Sequence, residues 1–598
     1  MIEAIGFLLV FTVLPLAVIV GTVSAVIAAR RAGEDEGEDD GIGGVRRLFI
    51  YALALTGVIF AAIGVSMIIG GALDAAIGDT LFLDRRQGLA IALAFTVVGT
   101  PAWLLFMLLA QRSVQAHPVE RRAAMRRLYF GLARSIALSV AAWNTVSALE
   151  MLAGLSEFSG NAWGQAIAWS GVWLIHQRLA AGEPAFTPLT RFVDRLALYF
   201  GALLGLLLVL AGAVGVIDAP LAEAYDRVLR GALINAEWDR GLRGSAIVLV
   251  VGLVIWAWHW LLQLRRGDRQ TTMWRAYVFL FGALLGVTLA IVPAAVMLYL
   301  ALEWVAGTPG SDTAVAHFQG VPGAFATFLV GLGSWAYHRA VLVESGDAHE
   351  RSGPERVYRY LLSAAGLVTA AIGLAALIAL AAEGLSGFHA DLLETASWWR
   401  NRLLQGVTLL VVGVPLWVRY WSATQRVLES GAPERSTPSR RVYVFGTVGV
   451  AVFALLVSLT VVLYQLFQAV LAAEVSPLLL SDMDWSLGTA ITTAAIAYYH
   501  FLVLREDQAA APPEAERPSR TRYVVLVAPG NARDLADDLA RTDGVQVRAW
   551  RRTDGDGVAL TEERRTALRD AIIAADADRL LAIVAGGDFS LVPYEETR

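Results

Sequence analysis

Long apolar runs follow one another along almost the whole chain, and they restrict its folding more than any single motif does. A helix of about 20 apolar residues spans a hydrocarbon layer of roughly 30 Å. Segments of this kind lie at 48–73 and 89–111, 128–153 and 161–178, 196–217 and 244–264, 276–303 and 322–340, 357–382 and 403–421, and 442–473 and 485–504. With an apolar run inside residues 1–30 they predict about 13 crossings on the ~20-residue criterion. Composition agrees: 57% of the 598 residues are hydrophobic and 17% charged, fewer charges than the roughly 25% that coat a soluble domain. A membrane β-barrel would alternate in short segments instead. The expected fold class is an all-α polytopic membrane protein with a small C-terminal α/β domain.

Residue usage removes several chemistries. There is no cysteine, so disulfides, thiolate catalysis and Cys-based metal sites are excluded. All 48 basic residues are Arg, which excludes a Schiff-base lysine and a phosphate-loop lysine. The Arg-only, Ala-rich usage points to a GC-rich bacterial genome. Residues 1–30 lack a basic first stretch, and their apolar run exceeds the ~7–15 residues of a signal peptide. They read as an uncleaved helix with its N-terminus outside.

The apolar segments recur in pairs. Each pair opens on an arginine next to aromatics: Arg47, Arg127, Arg195, Arg275, Arg356 and Arg441. Each second segment closes alike. Trp103, Trp173, Trp256, Trp335 and Trp417 fall in register, with Ala497 in the sixth pair. Three residues later stand Phe106, His176, His259, His338, Tyr420 and His500. Gly99, Gly252, Gly331 and Gly413 precede the Trp position by one turn, with Trp169 and Thr493 as exceptions. Six hairpins follow, at 46–120, 121–182, 183–269, 270–345, 346–430 and 431–505, after an acidic Gly-rich linker at 31–45. Loops between hairpins are Arg-rich and most turns within them are not, which places the loops in the cytoplasm. All six hairpins therefore insert the same way up, unlike the inverted repeats of many carriers.

The histidines are the natural candidates for metal or haem. Bis-histidine haem ligation needs facing ligands at membrane depth, whereas these lie at one shallow level and two copies lack them. They read as interfacial residues at cytoplasmic helix ends, with the glycines allowing close helix approach. No catalytic, metal or cofactor site is assigned. Arg134 can snorkel to the cytoplasmic face, and Asn144 reads as an interhelical hydrogen bond.

The opening arginines and the Gly-x-Pro-x-Trp closures (Gly99, Pro101, Trp103; Gly413, Pro415, Trp417) resemble a bacterial membrane family known as domain of unknown function 5671. The resemblance covers roughly 45–505, and copies two and six lack the Gly-Pro part. It implies tandem two- to four-helix units in a multipass protein and supplies no activity.

Residues 506–522 form a charged, Pro-rich linker. Beyond them 523–598 reads β-α-β-α-β-β, a small domain expected in the cytoplasm. Gly530, Asn531 and Ala532 lie between its first strand and helix, where backbone N–H groups can bind an anion; the stretch lacks any phosphate-loop pattern. The expected role is a non-enzymatic scaffold or sensor of a bacterial inner membrane. Its partners would be the lipid bilayer and a cytoplasmic protein or small ligand at the C-terminal domain, with no nucleic acid. A transporter or channel for a neutral or apolar solute is the alternative, and a lipid-acting enzyme the next.

Overall fold

The computed structural model describes residues 41–77, 85–117, 120–121, 123–182, 188–231, 237–269, 271–344, 352–386, 398–429, 437–473, 478–509, 522–529, 532–540, 542, 545–552 and 560–594. The helix expected within 1–30 lies outside them. The chain forms two compact units divided after Tyr498.

The larger unit is built of long helices: α1 (Gly41–Ile77), α2 (Arg85–Ala116), α3 (Ala124–Leu152), α4 (Gly160–Ala181), α5 (Pro188–Arg230) and α6 (Glu237–Trp256). A π-helical stretch, Ala257–Leu264, extends α6. The next rod, α7, runs through Thr272–Ala276, a π-helical Tyr277–Leu284 and Leu285–Ala306. Then come α8 (Val321–Glu344), α9 (Ser352–Leu385), α10 (Trp398–Glu429), α11 (Pro438–Leu471) and α12 (Asp484–Ala509), whose end passes into the second unit. Ten of the described helices are long and apolar enough to cross a membrane. The shorter α4 and α8, which carry His176 and His338, are not among them.

Glycine sets the closest helix contacts. A Cβ on Gly57 would lie 2.7 Å from the backbone nitrogen of Trp103, and one on Gly64 2.3 Å from Thr96 Oγ1. Numbers rise along α1 as they fall along α2, so the two helices are antiparallel. The contact recurs at Gly205 against Trp256 (2.4 Å) and Gly366 against Trp417 (2.5 Å). Only a residue without a side chain lets two helix backbones meet so closely. Gly99, Gly252, Gly331 and Gly413 make the reciprocal contacts, on Ala61, Val209, Leu289 and Ala370.

The two π-helical stretches meet around Trp260, which is fully buried. Its ring stacks on Trp274 at 5.9 Å and lies 4.7 Å from Tyr277, and its N–H donates to the Tyr337 hydroxyl (3.0 Å). The polar edge of Trp260 is thus satisfied, whereas the buried Trp274 indole has no hydrogen-bond partner among the described residues.

The smaller unit contains a four-stranded sheet in the order β2-β1-β3-β4. Strands β1 (Arg522–Ala528), β2 (Val545–Arg551) and β3 (Arg579–Ala585) are parallel, and β4 (Asp588–Pro593) is antiparallel to β3. The β3–β4 turn uses Gly586 and Gly587, both at positive φ (59° and 78°), the conformation a tight two-residue hairpin requires. Helices α13 (Ala532–Leu539) and α14 (Glu562–Ala574) contribute Leu535, Leu539, Leu568 and Ile572 to a core with Val524, Leu526 and Leu580.

Candidate functional site

The residues that close the second helix of each pair do not face outward. His176, His259, His338 and His500 are 1%, 4%, 1% and 0% exposed, which departs from an interfacial reading. Three of them share one geometry. Nδ1 of His176, His259 and His338 lies 2.9, 2.8 and 2.8 Å from the carbonyl four residues earlier, on Val172, Ile255 and Ser334. A carbonyl only accepts, so each ring carries its proton on Nδ1 and presents a lone pair at Nε2.

In the first set that lone pair is used. The Trp103 indole N–H donates to the Tyr129 hydroxyl (2.8 Å), and the hydroxyl donates to His176 Nε2 (2.8 Å). The bonds run one way from α2, through α3, to α4. The same positions recur farther on. The Trp256 indole donates to the Tyr277 hydroxyl (3.1 Å), and the Tyr277 ring lies 6.2 Å from that of His338. Here the tyrosine donates to the Ala202 carbonyl (3.3 Å), and His338 Nε2 has no hydrogen-bond partner among the described residues. Tyr358 hydrogen-bonds Trp335 and Tyr420, with a tyrosine at the histidine position. Trp103, Trp256 and Trp335 thus each reach a tyrosine two residues after the opening arginine of the next helix pair. Trp173 touches the ring of His259 at 6.1 Å instead. In the last set Tyr443 bonds the Ser363 hydroxyl (2.9 Å).

Three of the opening arginines are likewise tied down. Arg47 pairs with Glu120 (2.8 Å), and Arg195 with Asp268 (2.6 Å). Asp268 also accepts from the Tyr199 hydroxyl (2.8 Å) and the Thr271 hydroxyl (3.2 Å). Arg127, 1% exposed, meets Asp194 at 2.7 Å, and Arg134 reaches the same carboxylate at 3.4 Å. Arg134 therefore does not snorkel: its Nε donates to the Phe130 carbonyl and the head stays buried. Asn144 donates to Val140 within its own helix (2.9 Å), where an interhelical bond was expected. Asn401 makes a long-range polar link, to Glu303 (2.9 Å) and to both the N–H and carbonyl of Thr308.

Of the anion site expected in the smaller unit, Gly530 and Asn531 lie outside the described residues. Ala532 opens α13, whose first turn carries Asp534. A carboxylate there already answers the helix dipole and repels an anion.

The tyrosines were the missing members of the sequence pattern. They stand two residues after the opening arginine in the even pairs (Tyr129, Tyr277, Tyr443) and four after it in the odd ones (Tyr51, Tyr199, Tyr360). Odd and even tyrosines face each other, at 5.8 Å for Tyr51–Tyr129, 5.8 Å for Tyr199–Tyr277 and 5.0 Å for Tyr360–Tyr443. The structural period is therefore two helix pairs.

Comparison with protein families finds the same period. The family described as Domain of unknown function (DUF5671) matches residues 47–175, 195–345 and 356–495. Comparison with curated proteins and with solved structures gave no match. Each family match opens on an arginine, spans four helices and encloses one facing tyrosine pair, so the chain belongs to the DUF5671 family as three tandem copies of its domain.

Proposed function

We propose that the chain is an integral membrane protein in which the three copies cross the bilayer as six hairpins inserted the same way up. Residues 1–30 would supply a further crossing, giving about 13. The C-terminal α/β unit would lie in the cytoplasm of a bacterial cell, bound to a protein or small ligand, and the bundle would serve as its non-enzymatic scaffold or sensor.

One observation carries the reading. Polar groups that recur between copies are engaged within the protein: indole to tyrosine hydroxyl and arginine to a loop carboxylate link separate elements, and imidazole bonds the carbonyl one turn back in its own helix. Such groups set the register of neighbouring helices. Ten apolar helices and the Arg-rich loops support membrane insertion and the cytoplasmic side.

Fractionation of cells expressing the full chain tests it. The protein should stay with membranes washed at alkaline pH, and a reporter fused after Arg598 should be active only inside. Release by the wash, or a reporter active outside, would refute the topology. A hydrolytic or transfer activity abolished by a single polar substitution would refute the scaffold role.

A further inference from the structure

We infer that the second copy carries a two-position latch: the Tyr277 hydroxyl passes between the Ala202 carbonyl on α5 and Nε2 of His338 on α8, as the π-helical stretch holding Tyr277 rearranges. The first copy shows the closed position. There α2 and α3 are α-helical. Tyr129 donates to His176 Nε2 (2.8 Å), with the two rings 5.5 Å apart. The second copy shows the open position. Tyr277 donates to Ala202 (3.3 Å), and its ring lies 6.2 Å from that of His338. His338 Nε2 is buried without a hydrogen-bond partner among the described residues.

One added residue in each of α6 and α7 sets the second copy apart. Gly57, Gly205 and Gly366 stand ten residues after their opening arginines, and each meets the backbone of a Trp. Ala137, ten after Arg127, packs with Trp169. Gly286 meets the Trp335 backbone nitrogen in the same way (2.6 Å) but stands eleven after Arg275. The π-helical Tyr277–Leu284 lies between them. On α6 the shift repeats. Buried Ala110 and Thr424 stand seven residues after Trp103 and Trp417, whereas buried Leu264 stands eight after Trp256 and ends the π-helical Ala257–Leu264. A π turn closes its bond one residue later than an α turn, so it takes up a residue while the contacts on either side stay in register. Such turns concentrate at functional sites.

Both positions are workable. A hydroxyl has one proton to donate, so Tyr277 serves one acceptor at a time. Ala202 lies inside α5, where the helix ladder supplies its carbonyl with another donor. Losing the tyrosine strands nothing there. His338 Nε2 has no second donor, and an unmet buried acceptor is costly. Its Nδ1 stays on the Ser334 carbonyl (2.8 Å) in either position. Gly282 leaves room beside the ring: a Cβ there would lie 2.2 Å from His338 Cδ2. The added residues hold the hydroxyl off the imidazole, and the unmet nitrogen draws it back. Closing ties α7 to α8, its own hairpin partner; opening ties it to α5 of the preceding pair.

The test is solid-state nitrogen NMR of the full chain, labelled at histidine and recorded frozen so that both positions are trapped; His338→Gln identifies the signals. A lone-pair nitrogen of imidazole resonates upfield when it accepts a hydrogen bond. Wild type should show two His338 Nε2 signals, each at least about a tenth of the total, and one for His176. Tyr277→Phe should lose the upfield signal of His338. Deleting Leu262 and Phe281, exposed members of the two π-helical stretches, restores the shorter spacings and should leave only the upfield signal. A single wild-type signal, or two that Tyr277→Phe leaves unchanged, would overturn the proposal whether or not the deletion chain folds. So would a folded deletion chain that keeps the downfield signal.

Discussion

Helices α3 and α11 occupy the same place in the first and third copies, yet 39% of the most apolar stretch of α3 is buried against 6% for α11. Helix α3 is covered on two sides. Ala137 and Ala141 pack with Ala62 and Trp169 of its own copy, and Leu132 and Leu138 pack with Phe200 and Leu204 of the next. Helix α11 buries a narrow stripe that includes Val444, Ala451 and Ser458, and it exposes Val442, Phe445, Val450 and Phe453. Each copy is thus finished by its successor, as in other repeat architectures. The third copy has no successor among the described residues. Its outer face stays as apolar as that of an internal copy.

Breaking the junction between copies should cost most. Asp194 is the counter-ion of buried Arg127 and Arg134. Asp194→Ala should lower stability by about 3–5 kcal/mol, the scale for stranding a buried charge. Glu344→Ala removes a half-exposed carboxylate from Arg265 and Arg269 and should cost under about 1 kcal/mol. Thermal melts of the detergent-purified variants distinguish the two; equal losses would mean the junction is no more than a surface pair.

The next effect contrasts glycines. Gly205→Val forces a side chain against the Trp256 backbone and should cost about 3 kcal/mol through overpacking. Gly446→Ala, in open space on α11, should stabilise by up to about 1 kcal/mol through helix propensity. A neutral Gly205→Val would show that the helices can part without loss.

The smallest effect lies in the hydrogen-bonded seam. Tyr129→Phe strands the Trp103 indole and the His176 lone pair and should cost about 1–2 kcal/mol. Tyr464→Phe, on the exposed face of α11, should change stability by less than about 0.5 kcal/mol. Urea titrations of the two variants in one detergent resolve the difference.

Helix spans, the Trp and Gly positions and the β-α-β-α-β-β succession of the smaller unit could be read from the sequence, because apolar periodicity and turn residues act locally; the order of strands in the sheet could not. The pairwise repeat was legible too, but its grouping into three copies was not. Tyr51 and Tyr129 sit at different offsets from their arginines, and only their contact across helices reveals them as one pattern. Burial of the histidines was missed for a similar reason: the bond that satisfies His176 comes from Tyr129, on another helix. No local pattern marks Asp194 and Asp268; only folding places them on buried or partly buried arginines. How little of α11 is buried depends on which of the described helices pack against it, which no local pattern records.

The central claim, that all copies insert the same way up, can be measured directly because the chain has no cysteine. Single cysteines would be placed in turns within helix pairs (Ser156→Cys, Gly310→Cys) and in loops between pairs (Ala116→Cys, Gly182→Cys, Gly267→Cys). Intact cells would then meet a membrane-impermeant maleimide. The account expects both turn positions to label from outside and all three loop positions to label only after the membrane is opened. Turn positions from different copies labelling on opposite sides would contradict it.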